Sequence, residues 1–141
     1  MNRRLNALVL ATLLAASGVY AAGSKVPMLD SSGAEQGTAK VNLPKGSVSI
    51  KATLAPLPAT VDTGTAQFEA TIYKAYLVSS TDAAVEIPLA SVYPTSKSKA
   101  TVKAALKGDL SLLGLDRVVV VAFSKDGLSS FDVLTGTLVV Q

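Results

Sequence analysis

Apolar and polar residues alternate strictly in two segments of the chain. The apolar positions of the first are Val48, Ile50, Ala52 and Leu54, and the residues between them are Ser, Lys and Thr. The stretch from Thr101 to Leu106 repeats the alternation. A period of two residues is typical of a β-strand with one buried side and one side in water. Both segments are therefore predicted to be half-buried strands, with Lys51 and Lys103 pointing outward.

Two further segments are apolar on both sides, which is the pattern of an interior strand. Residues 67–79 are rich in aromatic and β-branched types, and four valines follow one another from Val118 to Val121. A shorter strand is predicted over Val85 to Leu89, interrupted by Pro88. The last predicted strand runs from Phe131 to Val140, with Gly136 as a candidate β-bulge.

Turn signals separate these strands. Proline cannot donate a hydrogen bond to a neighbouring strand, so Pro56-Leu57-Pro58 ends the first one. Ser124-Lys125-Asp126-Gly127 predicts a hairpin turn. Asp109 is well placed to cap one turn of helix over Leu110 to Leu113, with Gly114 as its left-handed exit.

The order of these elements resembles an immunoglobulin-like or fibronectin type III-like sandwich, most clearly from Ala105 onward. The run Val118 to Phe123, the turn at 124–127 and Leu128-Ser129-Ser130 before the closing strand are similar to the final hairpin of that family. The resemblance implies two antiparallel sheets packed face to face. The chain is therefore predicted to form an all-β, immunoglobulin-like sandwich of six to seven strands over residues 39–141.

Residues 1–21 have the three parts of a helical, cleavable secretory signal peptide. Arg3 and Arg4 give the basic start, Leu5 to Ala16 is largely apolar, and Val19 and Ala21 are small enough for cleavage after Ala21. The apolar run is shorter than the ~20 residues of a membrane-spanning helix. We expect export to the periplasm, the cell surface or the medium of a bacterium, and no membrane span after cleavage.

Residues 22–38 are small and polar, with several glycines and no sustained period, and predict a flexible lead-in. Their one apolar patch, Val26 to Leu29, suits a short edge strand or a contact with a partner.

Charge and cysteine content narrow the function further. Two of the 13 basic residues are Arg3 and Arg4, which leaves 11 against 10 acidic residues, a net charge of +1 after cleavage. The remaining lysines are scattered along the sequence, so it lacks the basic footprint of a nucleic-acid or anionic-membrane binder. There is no cysteine, so the fold depends on packing without disulfides.

The sequence offers little catalytic chemistry. It contains neither His nor Cys, which excludes Ser-His-Asp and Cys-dependent catalysis and the commonest transition-metal ligands. Ser96-Lys97-Ser98-Lys99 contains the residue types of a Ser-Lys dyad, but its composition favours a solvated turn. Glu35, Glu69 and Glu86 are the glutamates, and nothing in their spacing marks a catalytic pair. We expect no enzymatic activity, no cofactor, and no catalytic, cofactor-binding or metal site.

Calcium is the ion that the remaining oxygen ligands suit best. The candidate ligands are Asp126 and Asp132, with Asp82 as a further contributor, although Asp126-Gly127 is also explained by the hairpin turn alone. Three tyrosines are open to two interpretations, a ligand patch or core and edge packing: Tyr73, Tyr76 and Tyr93.

These observations favour a non-enzymatic exported protein that acts in envelope structure, adhesion or protein binding, by strand addition or self-assembly. The alternative is a calcium- or small-ligand-binding module of the periplasm or cell surface. Neither a nucleic acid nor a membrane is expected as partner.

Overall fold

A computed structural model describes residues 24–138. The predicted signal peptide therefore lies outside the described residues, as do the last residues of the predicted final strand. The described chain contains nine strands: β1 Ser24–Leu29, β2 Glu35–Asn42, β3 Ser47–Thr53, β4 Ala59–Asp62, β5 Gln67–Val78, β6 Glu86–Val92, β7 Lys99–Ala105, β8 Arg117–Ser124 and β9 Ser130–Thr137. No residue in 24–138 lies in a helix, so the all-β prediction is confirmed. This part of the chain therefore contains no helix that could cross a membrane.

The nine strands form one antiparallel sheet that curls around an apolar core. Its order is β4-β5-β8-β9-β1-β2-β3-β7, and β6 pairs with the second half of β5 on the same edge as β4. Curling brings β6 and β7 into contact although they do not pair. The core takes side chains from both halves of the sheet, such as Met28, Ile50, Leu77, Val118 and Leu134, each at most 2% exposed.

The structure has more strands than the predicted six to seven, and they are connected differently from an immunoglobulin domain. The immunoglobulin order places its second strand between the first and the fifth. Here β2 lies between β1 and β3, which are consecutive in the chain. The alternating segments are strands as predicted (β3 and β7), and β8 is the buried interior strand, with Val118 to Ala122 all below 10% exposure.

The flexible lead-in predicted over 22–38 is corrected by the structure from Ser24 onward. β1 lies between β9 and β2, so it is not an edge strand, and β2 begins at Glu35. Val26 and Met28 are 5% and 0% exposed, and burial of two such side chains stabilises the segment by about 3–6 kcal/mol. The small and polar residues between β1 and β2 form a tight turn, in which Gly33 has a φ of 87°.

Two smaller expectations also change. Residues 110–113 form a single turn, closed by the Leu113 amide donating to the Leu110 carbonyl at 3.3 Å, and not a helix. The bulge of β9 lies between Asp132 and Leu134, while Gly136 stays in register opposite Val118. Gly136 is needed because a side chain there would meet Met28 Sδ at 2.8 Å.

Gly37 is in closer contact still, and this generates a stability prediction. A Cβ at Gly37 would overlap the Lys51 carbonyl oxygen, which is backbone, whereas Met28 beside Gly136 is a flexible side chain. We expect Gly37→Ala to lower the free energy of unfolding by about 3 kcal/mol and Gly136→Ala by about 1–2 kcal/mol. Urea denaturation measures both.

Thr137→Ala is the control, because Thr137 is exposed and adjacent to Gly136, and a surface change of this kind costs about 0.5 kcal/mol or less. If Gly37→Ala lowered the free energy of unfolding no more than Gly136→Ala does, the close approach of β2 and β3 at Gly37 would be contradicted.

Candidate functional site

Lysine side chains collect on the outer surface of one half of the sheet. In β1, β2, β3 and β7 every second residue is committed to the core, for example Ala39 and Val41 in β2 and Val48 and Ile50 in β3. The residues between them must then point outward. We call the outward side chains of these four strands the lysine face, since they include Lys25, Lys40, Lys51, Lys99 and Lys103, all exposed.

Strand register brings these lysines together from distant parts of the sequence. Lys25 on β1 is directly opposite Lys40 on β2, Lys40 is opposite Ser49 on β3, and Ser49 is opposite Lys103 on β7. The neighbouring row places Lys51 between Thr38 and Thr101. Directly opposite residues have Cβ atoms about 4.5–5.5 Å apart, so the lysines share one electrostatic field.

Glu35 is the one acidic residue within these four strands, and it lies at the start of β2. It is exposed and opposite Leu29 across a register shift, beyond the rows that hold Lys25, Lys40, Lys51 and Lys103. The carboxylate of Asp30, in the turn after β1, is engaged locally. It accepts hydrogen bonds from the Ser32 and Ala34 amides, the Ser32 hydroxyl and the Gln36 side chain.

A trough runs along β3 in the middle of the lysine face. Its floor carries the short side chains of Ser47 and Ser49, while the longer Lys40 and Lys103 stand on either side. Two adjoining depressions of about 310 and 410 Å³ share Lys40, Ser49 and Lys103 in their linings. The first extends toward Lys51 and Lys25, and the second toward the Asn42 and Ala105 ends of β2 and β7.

Of the candidate calcium ligands, Asp126 and Asp82 form turns, and Asp132 lies exposed on β9 opposite Val121. Asp126 Oδ1 accepts hydrogen bonds from Ser124 Oγ at 2.6 Å and from the Leu128 amide at 3.0 Å, and these bonds lower the pKa of Asp126. Asp82 accepts from the Ala84 amide in the turn after β5, at the other end of β8 and ~25 Å away. Among residues 24–138 no three acidic side chains lie close enough to hold a metal ion.

The remaining candidates are also dispersed. Ser96 to Lys99 form a turn in which Thr95 Oγ1 accepts from the Lys97 and Lys99 amides. The three glutamates lie on three different strands, β2, β5 and β6. The Tyr73 side chain is buried and donates from its hydroxyl to the Ala55 carbonyl at 2.8 Å, which confirms its packing role, whereas Tyr93 is 67% exposed.

The sequence contained part of the signal for the lysine face. Lys51 and Lys103 are predicted to point outward, but the lysines are scattered along the sequence, and 103 − 25 = 78 positions separate Lys25 from Lys103. Only the pairing of β7 with β3 and of β2 with β1 places them on one surface.

A comparison with protein-family models and with curated protein sequences finds no significant match.

The Lys25 and Lys40 pair generates a second prediction. Like charges directly opposite in a sheet destabilise it by about 0.2–1 kcal/mol. Lys40→Thr should therefore raise the free energy of unfolding relative to Lys51→Thr, because Lys51 lies between two threonines. Urea denaturation at low and high salt measures the difference, which should shrink as salt screens the repulsion.

The two substitutions are identical in type, so intrinsic strand propensity cancels between them. If Lys40→Thr were the less stable variant, Lys40 would be a structural residue, and the interpretation of the face as a destabilising charge cluster would be lost.

Asp30 generates a pH prediction. The Ser32 hydroxyl and the Gln36 amide, which donate to its carboxylate, lower the pKa of Asp30 from 3.8 to about 2. A lowered pKa contributes stability above the unfolded value, and this contribution is lost as the pH falls from about 4 toward 2. We expect Asp30→Asn to melt at a lower temperature at pH 7 and to lose less stability between pH 4 and 2.

Melting followed by circular dichroism at pH 7, 4, 3 and 2 tests this. The control is Ser31→Ala, an exposed neighbour in the same turn. Identical pH profiles for Asp30→Asn and the unmodified protein would contradict the assignment.

Proposed function

We propose that the chain is an exported, non-enzymatic binding protein of the cell envelope or surface, and that the lysine face is its contact surface for an anionic partner. The observation that supports this is the gathering of five lysines on one face of four strands, whose single acidic residue, Glu35, lies at the end of β2. A surface of one charge sign raises the local concentration of oppositely charged partners and speeds their association. Such a face costs stability locally, which is typical of positions kept for function.

The edge strands favour binding through a sheet face and disfavour binding by strand addition. β4 has four residues, β6 contains Pro88 and a register shift opposite Ala75, and β7 carries Lys99 and Lys103. Short strands, prolines, bulges and lysines are features that prevent a sheet edge from pairing with another chain. We therefore place the partner on the outer surface of β1, β2, β3 and β7.

The architecture that we propose for this purpose is a two-layer sandwich, as in immunoglobulin-like domains. One layer would comprise β1, β2, β3 and β7, and the other β5, β8 and β9 with β4 and β6 at its edge. The shared apolar core supports this arrangement, since it joins residues from both groups of strands. The lysine face would then be the whole outer surface of one layer.

Two charge-matched triple variants test the contact surface. The first changes Lys40, Lys51 and Lys103 to Gln, and the second changes Lys74, Lys107 and Lys125, which lie outside the face. Both remove three positive charges, so a general effect of net charge is the same in each. We expect the first variant to elute from a sulfopropyl cation-exchange matrix at clearly lower salt than the second, because clustered lysines release more counterions together.

Circular dichroism spectra and melting curves confirm that both variants are folded. Equal elution positions would show that the lysines do not act as a cluster, and the proposed contact surface would be wrong.

A further inference from the structure

The trough along β3 has the dimensions of a site for an extended chain. It follows the five residues from Ser47 to Lys51, about 13 Å at the rise of a β-strand, with the Lys51 side chain standing at its end. It is one strand wide, since β2 and β7 flank β3 about 4.8 Å away on each side. Lys40 and Lys103 flank Ser49 on both sides, so a ligand that passes between them must be narrow there.

The chemistry of the trough combines cations with hydroxyl groups. Ser47 and Ser49 can each donate and accept a hydrogen bond, and Lys40 and Lys103 stand on either side of Ser49. Thr38 and Thr101 flank Lys51 in the next row. A partner that matches this pattern has anionic groups separated by groups that hydrogen-bond, and an acidic sugar polymer has both in every repeat.

A nucleic acid fits the lysine face less well. Proteins bind single strands by stacking bases on aromatic side chains, and phosphate is most specifically bound by the two-pronged arginine side chain. The outward positions of β1, β2, β3 and β7 hold neither an aromatic residue nor an arginine. Every cation there is a lysine, which acts as a point charge.

A bilayer also fits the lysine face less well. The most exposed leucines, Leu112 and Leu128, are 91% and 87% exposed, but they lie in the loops before and after β8 and not on the face. The lysine face is also the outer surface of a curled sheet, and a convex surface touches a flat membrane over a small area. The exposed leucine of the four strands is Leu29, 37% exposed at the end of β1, so the face offers little apolar surface for insertion into a bilayer.

Resting on the proposed function, we infer that the trough binds a linear anionic glycan of the polyuronate type. The chain lies along β3 with its carboxylates beside Lys40, Lys103 and Lys51 and its hydroxyls on Ser47 and Ser49. Removing the serine hydroxyl should therefore weaken glycan binding without any change of charge.

Calorimetric titration with polygalacturonate oligomers tests this inference. Ser49→Val should weaken binding by about fivefold, the value of one hydrogen bond. The matched control is Ser91→Val, the same substitution at an exposed position of β6 that also faces a lysine, Lys74. The affinity of Ser91→Val for the oligomers should stay within a factor of about 1.5 of the unmodified protein, because Ser91 lies outside the lysine face.

Two further probes at the same ionic strength separate the possible outcomes. Phosphatidylglycerol-containing vesicles and duplex DNA should bind more weakly than polygalacturonate, and Ser49→Val should not affect their binding. If either binds more tightly than the glycan, or if Ser49→Val and Ser91→Val behave alike, the glycan inference is wrong while the proposed function stands. If the triple change of Lys40, Lys51 and Lys103 to Gln alters binding of none of the three probes, both are wrong.

Discussion

Burial of one side of β1, β2, β3 and β7 on a single apolar core decides where every other side chain of these strands points. Full burial of a valine or isoleucine side chain stabilises the fold by about 1.5–3 kcal/mol. Val48, Ile50 and Val102 are each below 5% exposed and belong to that core. A slip of one residue would turn all of them into water, so the register is strongly fixed. The lysines between them are thereby held on the outer surface.

The same magnitudes explain why repulsion between the lysines is tolerated. One pair of opposed like charges costs less than 1 kcal/mol, several times less than the burial on the other side of the same strands. Lys25 and Lys40 therefore remain opposite each other. β3 contributes the short Ser47 and Ser49 between longer side chains, and this difference in length makes a trough in an otherwise flat surface.

The carboxylates of the protein are used mainly to form turns. Asp30, Asp109 and Asp126 each accept a hydrogen bond from a serine hydroxyl two residues away. Asp116, directly before β8, accepts from the hydroxyl and amide of Ser80 in the β5–β6 connection. These bonds lower the pKa of all four groups. Carboxylates fixed in separate loops neither neutralise the lysine face nor assemble into an ion site. The positive field of the lysine face is therefore not cancelled by these carboxylates.

The sequence by itself determined the all-β class, the positions of β3, β5, β7 and β8, and the outward orientation of Lys51 and Lys103, because alternation and turn chemistry are local. It did not determine that residues 24–29 form an interior strand, since Val26 and Met28 need partners from β9 and β2 to be buried. Nor did it reveal the lysine face. That surface exists only because β1, β2, β3 and β7 pair side by side, and the choice of partner strand depends on the whole core and not on any one segment.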